Sequence, residues 1–329
     1  MLNARRRLYI ADIAVSPSQA VHLSVVELSR ALNGGLCKPG YNLGGCANAK
    51  QARPSCPDCG YRNSTVRILV TNDDGVNAPG IAHLARFLAK VGHDVVVIAP
   101  LQDSSGAGAG VGPVHQFGGI SYERIEIPGL DAPAYGIDGL PAMAVIAGCL
   151  GGFGDPPEIV VSGINLGLNA GFSVLHSGTV GAALTGTHFN VSALAVSIEW
   201  AADLDSVHWD TASVLASYLV GSILEGPPST VLNLNVPNRA LGELRGMSRA
   251  DLAASGTIRS AVDQDGEGYL QLALGRRGGS SEAGTDVGLV EQGFASLTAI
   301  RSVSEDPRRI ASEFVEGLAG SWVKEPVDV

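Results

Sequence analysis

From Val66 onward, apolar residues come in short unbroken stretches separated by polar clusters. Arg67-Ile-Leu-Val-Thr71 is rich in β-branched residues and reads as a strand buried on both faces. Turn formers fill Asn72 to Pro79. Pro79-Gly80 then opens a helix with Ile81, Leu84, Leu88 and Val91 on one face, closed by Gly92. Asp94 to Ala99 is a second buried strand. A strand, a helix and a strand within about 33 residues form a βαβ unit, which predicts a parallel sheet.

The same alternation continues. Gly118 to Ile127 and Ala134 to Ile137 read as strands, Pro141 to Leu150 as a helix, and Glu158 to Ser162 as a strand. Gly163 to Ser177 reads as a long polar loop ahead of a small-residue helix, Gly178 to Phe189. A strand over Ala193 to Ile198, a helix over Ser206 to Leu224 and a strand over Thr230 to Val236 follow. Beyond Pro237 the chain is more polar, richer in Gly and less periodic. Hairpins are expected near Tyr269 to Leu274, a strand over Ala295 to Ala299 and a final helix over Ile310 to Leu318. The expected fold is α/β: a Rossmann-like, three-layer parallel sheet over 66–237, with a smaller, irregular C-terminal lobe over 238–329.

Residues 1–65 lack this pattern. Ala20 to Leu32 is the one helix-like stretch. Residues 1–66 carry eight Lys/Arg against three acids, a net charge of +5, whereas the remainder carries 14 against 29. Four of the five cysteines fall here, and Cys37, Cys46, Cys56 and Cys59 could form a zinc site, although the first pair is loosely spaced. An Arg-rich, acid-poor start also fits a targeting segment. The preferred expectation is a disordered extension, or a start codon placed too far upstream, because a complete fold begins abruptly at Val66.

Composition narrows the function. Of 329 residues, 45% are hydrophobic and 16% charged, 43 are Gly, and the net charge is -10. That charge excludes a protein that tracks the nucleic-acid backbone nonspecifically. No apolar run reaches the roughly 18 residues of a bilayer span, so no membrane association is expected. A body whose single cysteine is Cys149 fits a reducing compartment, hence a cytoplasmic location.

Open α/β sheets bind ligands outside the carboxyl ends of their strands. Three strand-end loops carry polar clusters: Asn72-Asp73-Asp74-Gly75, Ser104-Ser105-Gly106 and Ser162-Gly-Ile-Asn165. Asp73 and Asp74 repel each other unless a cation neutralises them. The alternative is that one of them caps the next turn or helix. Convergence of the three loops favours an all-oxygen metal site, suited to a hard divalent ion rather than zinc. His176-Ser-Gly-Thr-Val180 starts a helix, where free N–H groups favour a phosphate. A phosphate bridging metal and helix implies phosphoryl transfer to water, with Asp73 or Asp74 moving the proton. Cys149 reads as a core residue, and there is no phosphate loop of the GxxxxGK[ST] type. His176 is expected to contact the substrate or its leaving group.

These motifs resemble the survival protein E (SurE) family of nucleotidases. The matching stretches are Arg67 to Ile81, Ala99-Pro100 with Ser105-Gly106-Ala107, Ile159 to Asn169 and Ser177 to Leu184. Leu232 to Pro237, Gly284-Thr-Asp286 and Glu291-Gln-Gly293 match more weakly. The resemblance implies a Rossmann-like core, a smaller swapped lobe involved in oligomerisation, and a homodimer or homotetramer. It implies one divalent ion, Mg2+ or Mn2+, on Asp73, Asp74, Ser105 and Asn165, with Asn72 in the same loop. Asn169, Ser177, Gly178 and Thr179 would hold the phosphate. The implied enzyme is a 5′-nucleotidase, an acid-phosphatase-like phosphoric monoester hydrolase that dephosphorylates nucleoside 5′- and 3′-monophosphates.

The chain departs from the family pattern at Leu101-Gln102, where Asp-Arg is usual. It departs also at Met143 (usually acidic), Thr185 (usually Glu) and His176 (usually Tyr). These changes remove charged or polar groups expected near the crevice. They motivate one alternative, a phosphatase specialised for a phosphorylated secondary metabolite or sugar; a second alternative, from another class, is a weakly active phosphometabolite-binding paralogue.

Overall fold

The structure is a computed structural model and describes residues 65–112, 118–254, 258–263, 271–276 and 282–304. The expected zinc ligands Cys37, Cys46, Cys56 and Cys59, and the helix expected over Ile310 to Leu318, lie outside the described residues. The first unit is β1 (Arg67–Thr71), α1 (Pro79–Lys90) and β2 (Asp94–Pro100). It is followed by β3 (Tyr122–Ile125), β4 (Ala134–Ile137), α2 (Pro141–Cys149) and β5 (Ile159–Leu166). Next come α3 (Gly178–Gly186), β6 (Ser192–Ile198), α4 (Trp209–Leu224) and β7 (Val231–Val236). The chain continues through β8 (Met247–Arg249), β9 (Ile258–Asp263), β10 (Gln271–Arg276), α5 (Asp286–Glu291) and β11 (Ala295–Ile300).

Nine strands form one sheet in the order β3-β4-β2-β1-β5-β6-β7-β11-β8, and β9 and β10 form a separate antiparallel pair. β4, β2, β1, β5, β6 and β7 are mutually parallel, while β3 and β11 run antiparallel to their neighbours β4 and β7. Strand pleating explains the unbroken apolar runs. Ile68 and Val70 of β1 join the core under α1 and α4, with Ile81, Leu84, Leu215 and Leu219. Leu69 between them enters the opposite core with Val145 of α2 and Val180 and Ala182 of α3. Helices therefore cover both faces, as parallel strands require. The Rossmann-like α/β expectation holds.

Several boundaries moved. Val91 does not join the apolar face of α1, being 45% exposed just past its end. β3 covers only the middle of the expected Gly118 to Ile127 strand. The small-residue helix ends at Gly186 and passes into a 3-10 turn over Thr187–Phe189. α4 starts at Trp209 because a 3-10 turn occupies Leu204–Ser206. Most consequential for the site, β5 does not stop at Ser162. It continues to Leu166 through a register shift between Ser162 and Asn165, where Asn165 pairs with Ser197 of β6. Gly163 makes this possible: its φ is +140°, and a Cβ there would overlap the Val196 carbonyl.

The expected division at 237 falls between β7 and β8, two strands of the same sheet. Cys149 is buried in the core as expected, and burial pushes its thiol up to about 11. Among the described residues, no helix is long and apolar enough to cross a membrane.

Candidate active site

β1 lies between β2 and β5, so the strand order reverses at β1 and β5 and opens a crevice at their carboxyl ends. Asn72, Asp73 and Asp74 leave β1 at that point. The turn they start is locked locally, since Asn72 Nδ2 donates to the Gly75 carbonyl (2.9 Å) and Val76 N to the Pro100 carbonyl (2.8 Å). The second loop is bound to the same turn. Ser104 donates to the Asp73 carbonyl from both its backbone N (2.8 Å) and its Oγ (3.2 Å).

Asp73 is almost wholly buried, at 3% exposure, and Asp74 is half-buried. Among the described residues the ion pairs are Arg67–Asp94, His83–Asp210 and Arg249–Asp251, so neither carboxylate has a basic partner. Burial raises the Asp73 carboxyl above its ordinary range, although the Thr179 hydroxyl and the N–H groups opening α3 lower it in part. Asp74 is pushed up to about 7, first by burial and then by the charges of Asp73 and Asp103.

The start of α3 is packed directly on Asp73. Thr179 Oγ1 donates to Asp73 Oδ1 at 2.5 Å. A Cβ at Gly178 would come within 2.7 Å of the Asp73 Cβ and 2.8 Å of its Oδ2, so only glycine allows this approach. Ser177 acts as an ordinary N-cap, its Oγ accepting from Val180 N (3.1 Å). His176 is exposed at the end of the 3-10 turn Gly171–His176, and its carbonyl accepts from Gly108 N (3.2 Å), which ties the second loop to the helix start.

Ser105 and Asn165 reach the same end of the sheet without bonding to either aspartate. Ser105 donates to Asp103 Oδ1 from N (2.8 Å) and Oγ (2.6 Å). Asn165 stands on β5 and donates from Nδ2 to the Gly167 carbonyl (2.6 Å). Asn169 is held by its own backbone. Asn235 Oδ1 accepts from Asn169 N (3.0 Å), and Asn233 and Asn235 both donate to the Asn169 carbonyl (2.7 and 3.0 Å). The Asn169 side chain donates to Ser197 Oγ (3.0 Å).

Two residues escaped the sequence reading. Asp103 directly precedes the serine pair of the second loop, and an acid at that position on a strand-end loop was the available signal. Asp286, noted there only as part of a weak motif, is fully buried. Its carboxylate accepts from Gly171 N (2.7 Å), Ala253 N (3.0 Å) and Val287 N (2.9 Å), which fastens the segment after Asn169 to the C-terminal part of the chain.

The departures from the family pattern are mostly packing positions. Leu101 packs over Gly136 and against the core beneath α1. Met143 lines the core beneath α2 and α3, and Thr185 donates to the Gly181 carbonyl of its own helix (2.7 Å). Gln102 and His176 are the exposed ones among the five.

Fold and site together define a doubly wound α/β protein with paired buried acids facing a helix start at the switch point of its sheet. Residues 68–260 match the Survival protein SurE family. The 5′-nucleotidase SurE of Brucella abortus (strain S19) is 34% identical over 242 residues, covering 71% of this chain and 92% of its own length. The 5′-nucleotidase SurE of Brucella suis biovar 1 matches at the same identity and coverage. The crystal structure of the SurE protein from Aquifex aeolicus superposes with a TM-score of 0.64 at 27% identity, covering 76% of this chain and 99% of the other. The chain belongs to the SurE family.

Proposed function

We propose that this chain is a metal-dependent phosphomonoesterase that hydrolyses nucleoside 5′- and 3′-monophosphates to nucleoside and phosphate. Kinship with relatives named 5′-nucleotidase supports the reaction class. The observation that carries the site is the Asp73–Asp74 pair: two adjacent, inward carboxylates without a basic partner, both raised by burial, one packed on a helix start. Such a pair is stabilised by a cation.

The donor set fits a hard divalent ion. Among the described residues no three His, Cys, Asp or Glu side chains gather as a metal-binding group; the family resemblance adds Ser105 and Asn165 to the two aspartates. Carboxylate, hydroxyl and amide oxygens suit Mg2+ or Mn2+ and argue against zinc. Asp73, Asp74, Ser105 and Asn165 are the residues assigned to it. When bound, that ion supplies Lewis acidity, polarising a phosphoryl oxygen and offsetting the charge that gathers on it.

The remaining steps belong to the chain. Ser177, Gly178 and Thr179, at the positive end of α3, and the Asn169 side chain are the residues assigned to orient the phosphate, with the Gly178 and Thr179 N–H groups shared with the Asp73 carboxylate. Asn72 shapes the turn that presents both carboxylates. His176, exposed at the mouth, meets the leaving group. Asp73 is held by Thr179, which leaves Asp74 as the freer carboxylate to move a proton between attacking water and leaving oxygen. The reading extends to a cytoplasmic homodimer or homotetramer. The specialised metabolite or sugar phosphatase rested on lost polar groups, and three of the five changed residues, Leu101, Met143 and Thr185, pack against a core or bond within their own helix.

Phosphate release from AMP by the full chain tests this. EDTA should abolish it and Mn2+ or Mg2+ restore it. The Asp73→Ala/Asp74→Ala variant should lose about a thousandfold in kcat/KM, in line with the several kcal/mol such an ion contributes. Full activity in that variant would defeat the mechanism, and fast turnover confined to a non-nucleotide phosphomonoester would replace the substrate.

A further inference from the structure

We propose that Asp103 is a positioning residue for the cation site, setting the orientation of the Ser105 hydroxyl so that its lone pairs face the ion. The inference rests on the metal reading above and adds a residue to it.

A serine hydroxyl has one proton and two lone pairs. It can ligate a cation only when its proton points elsewhere and finds an acceptor. Asp103 Oδ1 is that acceptor, 2.6 Å from Ser105 Oγ, within the range of a charge-assisted O–H to carboxylate bond. The same oxygen accepts from Ser105 N at 2.8 Å, so hydroxyl and backbone are fixed by one atom. This unit does not float at the surface. The neighbouring Ser104 is bonded twice to the Asp73 carbonyl, and a Cβ built on Gly75 would lie 3.5 Å from Gln102 C and 3.6 Å from Asp103 N. The loop holding Ser105 is thus seated on the turn that holds Asp73 and Asp74. The Asp103 carboxylate is itself exposed, so its replacement creates no cavity.

Partners behind a metal ligand are worth about 10- to 100-fold in affinity or activity. The test is Mn2+ titration of the full chain, reading free Mn2+ by electron paramagnetic resonance, without substrate. Asp103→Ala should weaken binding about 10- to 100-fold, while the melting temperature stays close to that of the wild type. Asp103→Asn keeps an acceptor oxygen and should recover at least half of that loss on a logarithmic scale. In a Ser105→Ala background, adding Asp103→Ala should change affinity by less than about threefold, because the coupled pair has lost its common element. Wild-type affinity in Asp103→Ala overturns the inference. So does Asp103→Asn behaving like Asp103→Ala, or an undiminished Asp103→Ala effect in the Ser105→Ala background. A wild-type chain that binds no Mn2+ would instead overturn the metal reading, and this inference with it.

Discussion

Gly178→Ala is the sharpest perturbation available, because it adds one methyl group at the point where α3 meets Asp73. The added Cβ would sit 2.7 Å from Asp73 Cβ, 2.8 Å from Oδ2 and 3.0 Å from Cγ. Ordinary carbon contacts lie at about 3.5–4.0 Å, so the carboxylate or the helix start must retreat by roughly 0.7 Å or more. Backbone on one side and the locked Asn72–Gly75 turn on the other leave little slack. Two effects follow. Overpacking costs about 1–3 kcal/mol of stability, offset in part by the better helix propensity of alanine. Displacement also breaks the 2.5 Å Thr179–Asp73 bond and moves a reacting group. A misplacement near 1 Å costs about 100-fold in rate, or about 2.7 kcal/mol of transition-state stabilisation. The assay is phosphate release from AMP at saturating Mn2+, read beside urea denaturation of the same variant. A hundredfold fall in kcat/KM with the chain still folded is the expected result. Unchanged turnover and unchanged Mn2+ affinity would show that Asp73 and the start of α3 do not work together.

Two further outcomes follow from the buried carboxylates. In EDTA, Asp73 and Asp74 hold protons more tightly folded than unfolded, Asp74 up to about 7 against an ordinary 3.8. Unfolding therefore releases protons between about pH 4 and pH 7, and their contribution to stability is present below that window and lost as pH rises through it. Urea denaturation of the wild type minus that of Asp73→Asn/Asp74→Asn should show this fall, and a flat difference would contradict it. Asp286→Ala should cost about 3 kcal/mol by leaving the N–H groups of Gly171, Ala253 and Val287 without their acceptor. A loss below about 1 kcal/mol in chemical denaturation would mean that water replaces the carboxylate.

Much of the fold was legible because parallel strands covered on both faces must be apolar at every position. Arg67 to Thr71 and Asp94 to Ala99 carry that pattern, and both became central strands. Asn165 was misplaced in a loop for the converse reason. Polar residues in a strand look like a loop until the neighbouring strand satisfies their backbone, as β6 does for Asn165. Asn233 and Asn235 alternate with apolar residues, which fixes their strand but not their task. They are fully buried, and they clamp a residue more than sixty positions earlier.

The sequence by itself determined the α/β alternation, the three polar strand-end loops and the glycine-started helix, because each follows from local periodicity or residue type. Only the tertiary structure decided what those loops do to one another. Thr179 meets Asp73 across 106 positions, Ser104 ties the second loop to the first, and Asp286 fastens Gly171 from 115 positions away. It also carried β8 and β11 past β7 into the main sheet, although the sequence changes character at Pro237. Hydrogen bonds and packing of this kind depend on separation in space, and no pattern of neighbours along the chain encodes which distant atoms will meet.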